Sequence, residues 1–333
     1  MNLPRHITDA LDTLLHGVSR SDLADRSARL SCGYRSGETS RTTIGSFSDA
    51  LAYAVTRMPA TYAAVSAALA YTAEQLPDWH PDSILDLGTG PGTASFAALD
   101  QWPDIRHLTM VERNAASRSL ARQLADAAPI PALSDAHIVA GDLIAGTASL
   151  PDADLVVAAY VLVELQEAEV APMIQAALSK ARQALVLVEP GTPAGFERIR
   201  MARTALIRMG AKPVAPCPHA HACPIVAPDW CHFSVRLSRS RDHRLTKQAE
   251  RSFEDEKFSY MAVSRSLIPA IAGPRIISPP RIGKADVTFR VCDVPGIAER
   301  RIPRQDKFNY KAAKKLGWGN IVRDTDEQTP VQS

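Results

Sequence analysis

The stretch from Ser83 to Ala94, SILDLGTGPGTA, constrains the fold more than any other part of this 333-residue chain. Ile84-Leu85-Asp86-Leu87 is a short apolar run that suits a strand buried on both faces of a parallel sheet. Gly88-Thr89-Gly90-Pro91-Gly92 follows at once, and Thr93 to Leu99 reads as a helix. Strand, glycine loop, helix is how a doubly wound sheet makes a nucleotide site. The glycines let a ligand approach the backbone, and the helix start presents free N–H groups. The spacing argues against a nicotinamide or flavin dinucleotide, because the chain reads G-x-G-x-G from Gly88 and puts Thr93 where the third small residue of that fingerprint belongs.

Strands and helices then alternate. His107 to Glu112, Ala136 to Ala140, Asp154 to Tyr160 and Ala184 to Glu189 read as strands, with helices from Arg118 to Ala127 and from Ala194 to about Met209. This alternation implies a parallel sheet with right-handed crossovers. Glu112 lies 20 residues beyond Gly92 at a strand end, where a carboxylate can accept hydrogen bonds from both ribose hydroxyls. Asp86-x-Gly88-x-Gly90-x-Gly92 resembles motif I of the class I methyltransferases. That resemblance implies an α/β, Rossmann-like doubly wound sheet whose loop and Asp86 hold the methionine part of S-adenosylmethionine, with Asp142 near the adenine.

Residues 1 to about 80 read as mainly helical: Leu11, Leu14 and Leu15 keep helical spacing, and the alanine-rich run Ala52 to Leu76 has Pro59 to begin or interrupt a helix. Ser31 to Ser48 reads as a connecting loop whose Tyr34, Arg35 and Arg41 could reach RNA or cofactor. The run from Leu155 to Leu165 is too short for a membrane span, and the N-terminus has neither a secretory core nor a clear transit signature. A cytoplasmic protein is expected, or a matrix protein in a eukaryote. Charge is uneven: Arg236 to Arg323 holds 20 Lys and Arg against 9 Asp and Glu, a net +11, and the remainder holds 18 against 27, a net −9. With Phe258, Tyr260, Phe289, Phe308, Tyr310 and Trp318 interspersed, the basic part is compatible with a nucleic-acid face or with a solvated surface.

Cys32 is isolated, but Cys217, Cys223 and Cys231 fall within 15 residues and Cys292 follows in the strand-like Val287 to Asp293. In a reducing compartment such grouping points to metal rather than disulfides. Four thiolates suit zinc or an iron–sulfur cluster. The C-x₅-C-x₇-C gaps are wider than those of structural zinc sites, although His219, His221 and His232 are further available ligands.

Together, Asp86 to Gly92, Glu189-Pro-Gly-Thr192, Cys217-Pro-His-Ala-His-Ala-Cys223-Pro, Asp229-Trp-Cys231-His-Phe and Leu316-Gly-Trp-Gly319 resemble the methyltransferase-like assembly factors of the mitochondrial small ribosomal subunit and their bacterial relatives. The resemblance runs from about Tyr34 to Val322. It implies a [4Fe–4S] cluster on Cys217, Cys223, Cys231 and Cys292, with zinc as the alternative, and binding to small-subunit rRNA. Arg200 to Lys212 and Lys307, Lys311, Lys314 and Lys315 would face the RNA. The implied organisation is a helical extension over 1–80, an S-adenosylmethionine-binding core over 81–210 and a cysteine-bearing insertion over 211–256. Over 257–323 follow the last strands of the core, Phe258 to Arg265 and Val287 to Cys292, with a basic tail, and 324–333 is a disordered end. No catalytic residue is legible: Tyr160 and Glu164 border the expected pocket without forming a known acceptor motif. The rival readings are an active rRNA methyltransferase with structural zinc or cluster, and a small-molecule methyltransferase. A monomer is expected away from the ribosome.

Overall fold

The computed structural model describes residues 2–35, 43–143, 146–239, 246, 251–270 and 273–322. The N-terminal part forms helices α1 (Arg5–Leu14), α2 (Arg20–Arg35), α3 (Phe47–Thr56) and α4 (Met58–Gln75). The loop expected from Ser31 starts later, because Leu23, Ser27 and Leu30 make a buried stripe at helical spacing that carries α2 on to Arg35. Arg26 then ties α2 to the start of α3 through Asp49 at 2.8 Å. The side chains of Tyr34 and Arg35, and all of Arg41, lie outside the described residues. Pro59 sits in the first turn of α4, where no helical N–H is missed. Ala60, Ala63, Ala64 and Ala68 are fully buried, so α4 lies close against the sheet.

The main sheet contains β1 (Ser83–Leu87), β2 (His107–Val111), β3 (His137–Val139), β4 (Ala153–Ala159), β5 (Ala181–Pro190), β6 (Lys212–Ala215), β7 (Phe233–Ser238) and β8 (Phe253–Ser264). Its order is β3-β2-β1-β4-β5-β8-β6, with β7 also on β8. The first five of these are parallel; β8 runs antiparallel to β5, β6 and β7. Helices α5 (Thr93–Gln101), α6 (Ala115–Ala127), α7 (Pro131–Ser134), α8 (Glu167–Lys180) and α9 (Pro193–Arg208) complete this part. Alternate strand residues point to opposite faces: Ile84, Met110, Val157 and Val186 join the core under α1 and α3 to α6, and Leu85, Val111, Val156 and Leu185 join the core under α8 and α9. This is the class I methyltransferase, Rossmann-like arrangement expected from the sequence. Strand order reverses between β1 and β4, so the crevice at their carboxyl ends is the natural ligand position.

Of the expected strand Phe258 to Arg265, all but Arg265 lies in the main sheet, within β8, but Val287 to Cys292 does not. It belongs to a second, antiparallel sheet of β9 (Arg275–Ile276), β10 (Arg281–Ile282), β11 (Asp286–Asp293) and β12 (Gly296–Pro303), followed by α10 (Lys307–Ala313). Ile276, Val287, Phe289, Val291, Ala313 and Val322 give this sheet its own small core. The cysteine-bearing segment in turn contributes β6 and β7 to the main sheet, so its loop is held at both ends. Tyr71 on α4 donates to Trp318 O at 3.1 Å, fastening the last described segment to the helices. Gly319 has φ +96°, and a Cβ there would stand 2.3 Å from Tyr71 Oη, which explains the glycine of Leu316-Gly-Trp-Gly319. Residues 324–333 lie outside the described residues. No helix among the described residues is long and apolar enough to cross a membrane.

Candidate functional site

The glycine loop caps β1 at the crevice. Gly88, Gly90 and Gly92 all have positive φ, and a Cβ at Gly88 would meet Val161 Cγ2 at 2.6 Å. Asp86 braces the loop from below: Thr89 Oγ1, Ser95 N–H and Ser95 Oγ donate to its Oδ2 at 2.6, 3.0 and 2.6 Å. Burial pushes this carboxyl up to about 6. Its other oxygen, Oδ1, is buried with no hydrogen-bond partner among the described residues. Glu112 braces the loop from the side, accepting from Gly90 N–H at 2.9 Å and Asn114 N–H at 2.7 Å, and burial raises its carboxyl too. Asn114 Nδ2 donates to Ile44 O at 2.8 Å, which brings the segment ahead of α3 to this edge. The structure thus gathers Asp86, Glu112 and the three glycines, and Asp142 pairs with Arg113, the residue after Glu112, at 2.9 Å.

Across the crevice, β4 is followed at once by Tyr160, a non-glycine residue with φ +60°. Such backbone is strained and persists where surrounding contacts fix it. Tyr160 N–H donates to Val188 O at 2.7 Å and its hydroxyl donates to Glu256 Oε1 at 2.8 Å. Arg57 Nη2 is 3.4 Å from the same oxygen. Burial, reinforced by the charge of Glu256, raises the Tyr160 phenol well above its ordinary range. Its hydroxyl is therefore engaged rather than poised as a base. Glu164 ends the short turn Leu162–Glu164.

Glu189, fully buried at the end of β5, accepts from Leu162 N–H at 2.7 Å and Val163 N–H at 3.1 Å. Burial outweighs these donors and pushes its carboxyl from 4.5 up to about 8. Between those values the folded chain keeps a proton that the unfolded chain releases, so stability is full below about 4.5 and falls as pH rises to about 8. Glu189→Gln is expected to flatten that fall, as read from urea-unfolding midpoints between about pH 5 and 8.5. Parallel curves for the variant and the wild type would remove Glu189 as its cause.

The four clustered cysteines come together elsewhere. Cys217 follows β6, Cys231 precedes β7, Cys223 lies in the loop between them, and Cys292 arrives on β11. All four line one cavity of about 40 Å³ beside α9, and with Phe196, Ile225 and Ile277 they stand where the second sheet meets the main one. Burial raises the thiols of Cys217, Cys231 and Cys292, the last to about 12, and each neighbouring thiolate would raise them further. A bound cation would take them as thiolates and displace their protons. Among the described residues no group of three or more His, Cys, Asp or Glu is arranged to hold a metal ion. His219 Nε2 is 3.7 Å from Cys292 Sγ; His232 stacks on Trp230; His221 is exposed, as is Cys32 on α2.

Arg203 was expected on the RNA-facing side with Arg200 to Lys212, but it is buried and its Nε donates to Cys217 Sγ at 3.3 Å. The signal was available: Arg203 shares the buried stripe of α9 with Ile199, Ala202 and Leu206, a place for a cation only if something anionic faces it. Glu256, Arg57 and Arg275 had no such local signature.

Residues 47–323 match the family described as mitochondrial small ribosomal subunit Rsm22. The chain belongs to this family. Among its relatives, the human "Ribosome assembly protein METTL17, mitochondrial" is 27% identical over 301 residues, covering 82% of this chain and 62% of the relative. The "Rsm22-cox11 tandem protein 2, mitochondrial" of Schizosaccharomyces pombe is 27% identical over 290 residues, covering 72% of this chain and 38% of the relative. This Rsm22-family chain therefore spans less than two thirds of either relative. Among solved structures, magnesium protoporphyrin IX methyltransferase from Synechocystis PCC 6803 with bound SAM aligns at 15% identity over 62% of this chain and 80% of that one, with a TM-score of 0.39.

Proposed function

We propose that this Rsm22-family chain is an S-adenosylmethionine-binding, methyltransferase-like assembly factor of the small ribosomal subunit that carries a [4Fe–4S] cluster and binds small-subunit rRNA. The observation that carries the reading is that three cysteines from the stretch between β6 and β7 and a fourth from β11 line one cavity where the methyltransferase-like sheet meets the second sheet. Their thiols suit iron or zinc, and a spread arrangement favours a cluster, whose thiolates sit on separate iron atoms, over one ion with all its ligands at about 2.3 Å. Tyr260, buried on the same cavity, has a hydroxyl without a partner among the described residues, a donor suited to a bound sulfur.

For S-adenosylmethionine, Asp86 Oδ1 supplies an acceptor for an ammonium group, and Glu112 retains acceptor capacity for two hydroxyls. Bound there, the cofactor would bring an electrophilic methyl group to the crevice. Tyr160, the residue beside that position, is tied to Glu256, which favours binding without methyl transfer. The relatives are named as mitochondrial and one as a ribosome assembly protein, so we place this chain beside small subunits in the mitochondrial matrix, as a monomer when detached.

The RNA face is narrower than the charge count suggests. Arg236, Arg239, Arg281, Arg290, Arg300 and Arg301 are paired with acids. On and after α10, Lys307, Lys311, Lys314 and Lys315 are exposed, and Phe308 stands 75% exposed among them. Replacing Lys307, Lys311 and Lys315 by alanine is expected to weaken rRNA binding and to lower the slope of log K against log salt by about 2, at roughly 0.7–0.9 per phosphate contact. An unchanged slope would move the RNA to another face. The test of the whole reading is in-cell crosslinking of the tagged protein and sequencing of the attached RNA, with Cys217→Ser in parallel. Enrichment of one small-subunit rRNA region, lost in the variant, supports it; background in both would turn the reading towards a small-molecule methyltransferase.

A further inference from the structure

Two arginines are buried at the cysteine cavity with no acidic partner among the described residues. Arg203, on α9, is 4% exposed and Arg275, on β9, is 2% exposed, and both line the cavity. Besides its contact with Cys217 Sγ, Arg203 donates through Nη2 to His219 O at 2.8 Å and His221 O at 2.7 Å. Arg275 donates to Pro216 O at 3.1 Å and Gly319 O at 2.8 Å. Carbonyls accept from these N–H groups but do not neutralise the charge. Among the described residues neither guanidinium bonds to a carboxylate, and a buried cation without a counter-charge is strongly unfavourable.

The two buried guanidinium groups call for two negative charges at the cavity. Four thiolates around a doubly positive metal core carry a net charge of −2. Three thiolates with a neutral imidazole from His219 carry −1 around the same core and leave one guanidinium uncompensated. We infer that Arg203 and Arg275 are the counter-charges of a dianionic tetrathiolate metal group on Cys217, Cys223, Cys231 and Cys292, with Arg203 and the Tyr260 hydroxyl donating to its sulfurs. This rests on the metal-site reading of the cavity and adds the charge state and the residues that stabilise it. One-electron reduction of such a group deepens its negative charge, so both arginines favour the reduced form and raise its potential.

The test uses the full chain, reconstituted anaerobically with iron and sulfide, as wild type, Arg203→Met, Arg275→Met and Arg203→Lys. Three quantities are read: metal release to a chelator, midpoint potential in a dithionite titration, and the gain in Tm on loading. Arg203→Met is expected to release metal at least tenfold faster, with a more negative potential and a smaller gain on loading; Arg203→Lys keeps most of the retention. Metal-free Arg203→Met is expected to unfold no lower than metal-free wild type, because a lone buried charge has been removed, which separates the effect from misfolding. Unchanged release, potential and loading gain in both Met variants would overturn the inference. Wild type that takes zinc but no iron overturns the cluster reading alone, since zinc release from the variants still tests the two charges. Wild type that takes up neither metal overturns the metal site and this inference together.

Discussion

Cys231→Ser is expected to abolish cluster binding and to lower Tm by about 10 °C, with the second sheet loosening before the main one. Cys231 precedes β7 and packs with Phe196, Ile225 and Ile277 at the junction of the two sheets. The second sheet has only a small core of its own, so its attachment depends on that junction. A ligand present at roughly a thousandfold its Kd stabilises the folded state by about 4 kcal/mol. At about 2–4 °C per kcal/mol for a domain of this size, the loss is about 8–16 °C. Iron and sulfide content together with hydrogen exchange on β11 and α10 measure both parts. Cys32→Ser, changing an exposed residue on α2, provides the comparison and is expected to leave Tm and iron unchanged. If Cys231→Ser kept its iron and its Tm, the four-cysteine site would be the wrong reading of that cavity.

That junction also marks where the sequence was legible and where it was not. Central strands are easy to read because both their faces are buried: Leu185 to Val188 is a continuous apolar run and Ile84 to Leu87 is one interrupted only by Asp86, and the acids and glycines towards their ends fall at the crevice. Asp286 to Asp293 has another pattern, Asp-Val-Thr-Phe-Arg-Val-Cys-Asp, in which Val287, Phe289 and Val291 are buried and the residues between them are not. Strict alternation describes an antiparallel strand with one wet face, so the segment carried its own warning against the central sheet. Which sheet it joins is a matter of long-range pairing, which no local pattern encodes. The cysteines announced themselves by grouping, but the buried Arg275 and Glu256 are ordinary in sequence and acquire meaning only when β9 and β8 bring them beside the cavity and Tyr160.

Glu112→Ala is expected to weaken S-adenosylmethionine binding by about 30- to 150-fold. The variant loses the acceptor that holds Gly90 N–H and Asn114 N–H, and with it the carboxylate proposed to receive the ribose hydroxyls. Hydrogen bonds to a charged group contribute about 1.5–3 kcal/mol each, and a net loss of about 2–3 kcal/mol corresponds to that range of affinity. Asp142→Ala is expected to have a much smaller effect, because its carboxylate lies in an exposed pair with Arg113. Calorimetric titration of S-adenosylmethionine and S-adenosylhomocysteine into the three proteins measures this, with thermal unfolding to confirm that Glu112→Ala stays folded. Similar losses for both ligands would place the effect at the nucleoside, which they share, and away from the methyl group. If Glu112→Ala bound both ligands as tightly as wild type, Glu112 would be only a brace for the glycine loop, and the ribose would have to be sought elsewhere along the β1–β4 crevice.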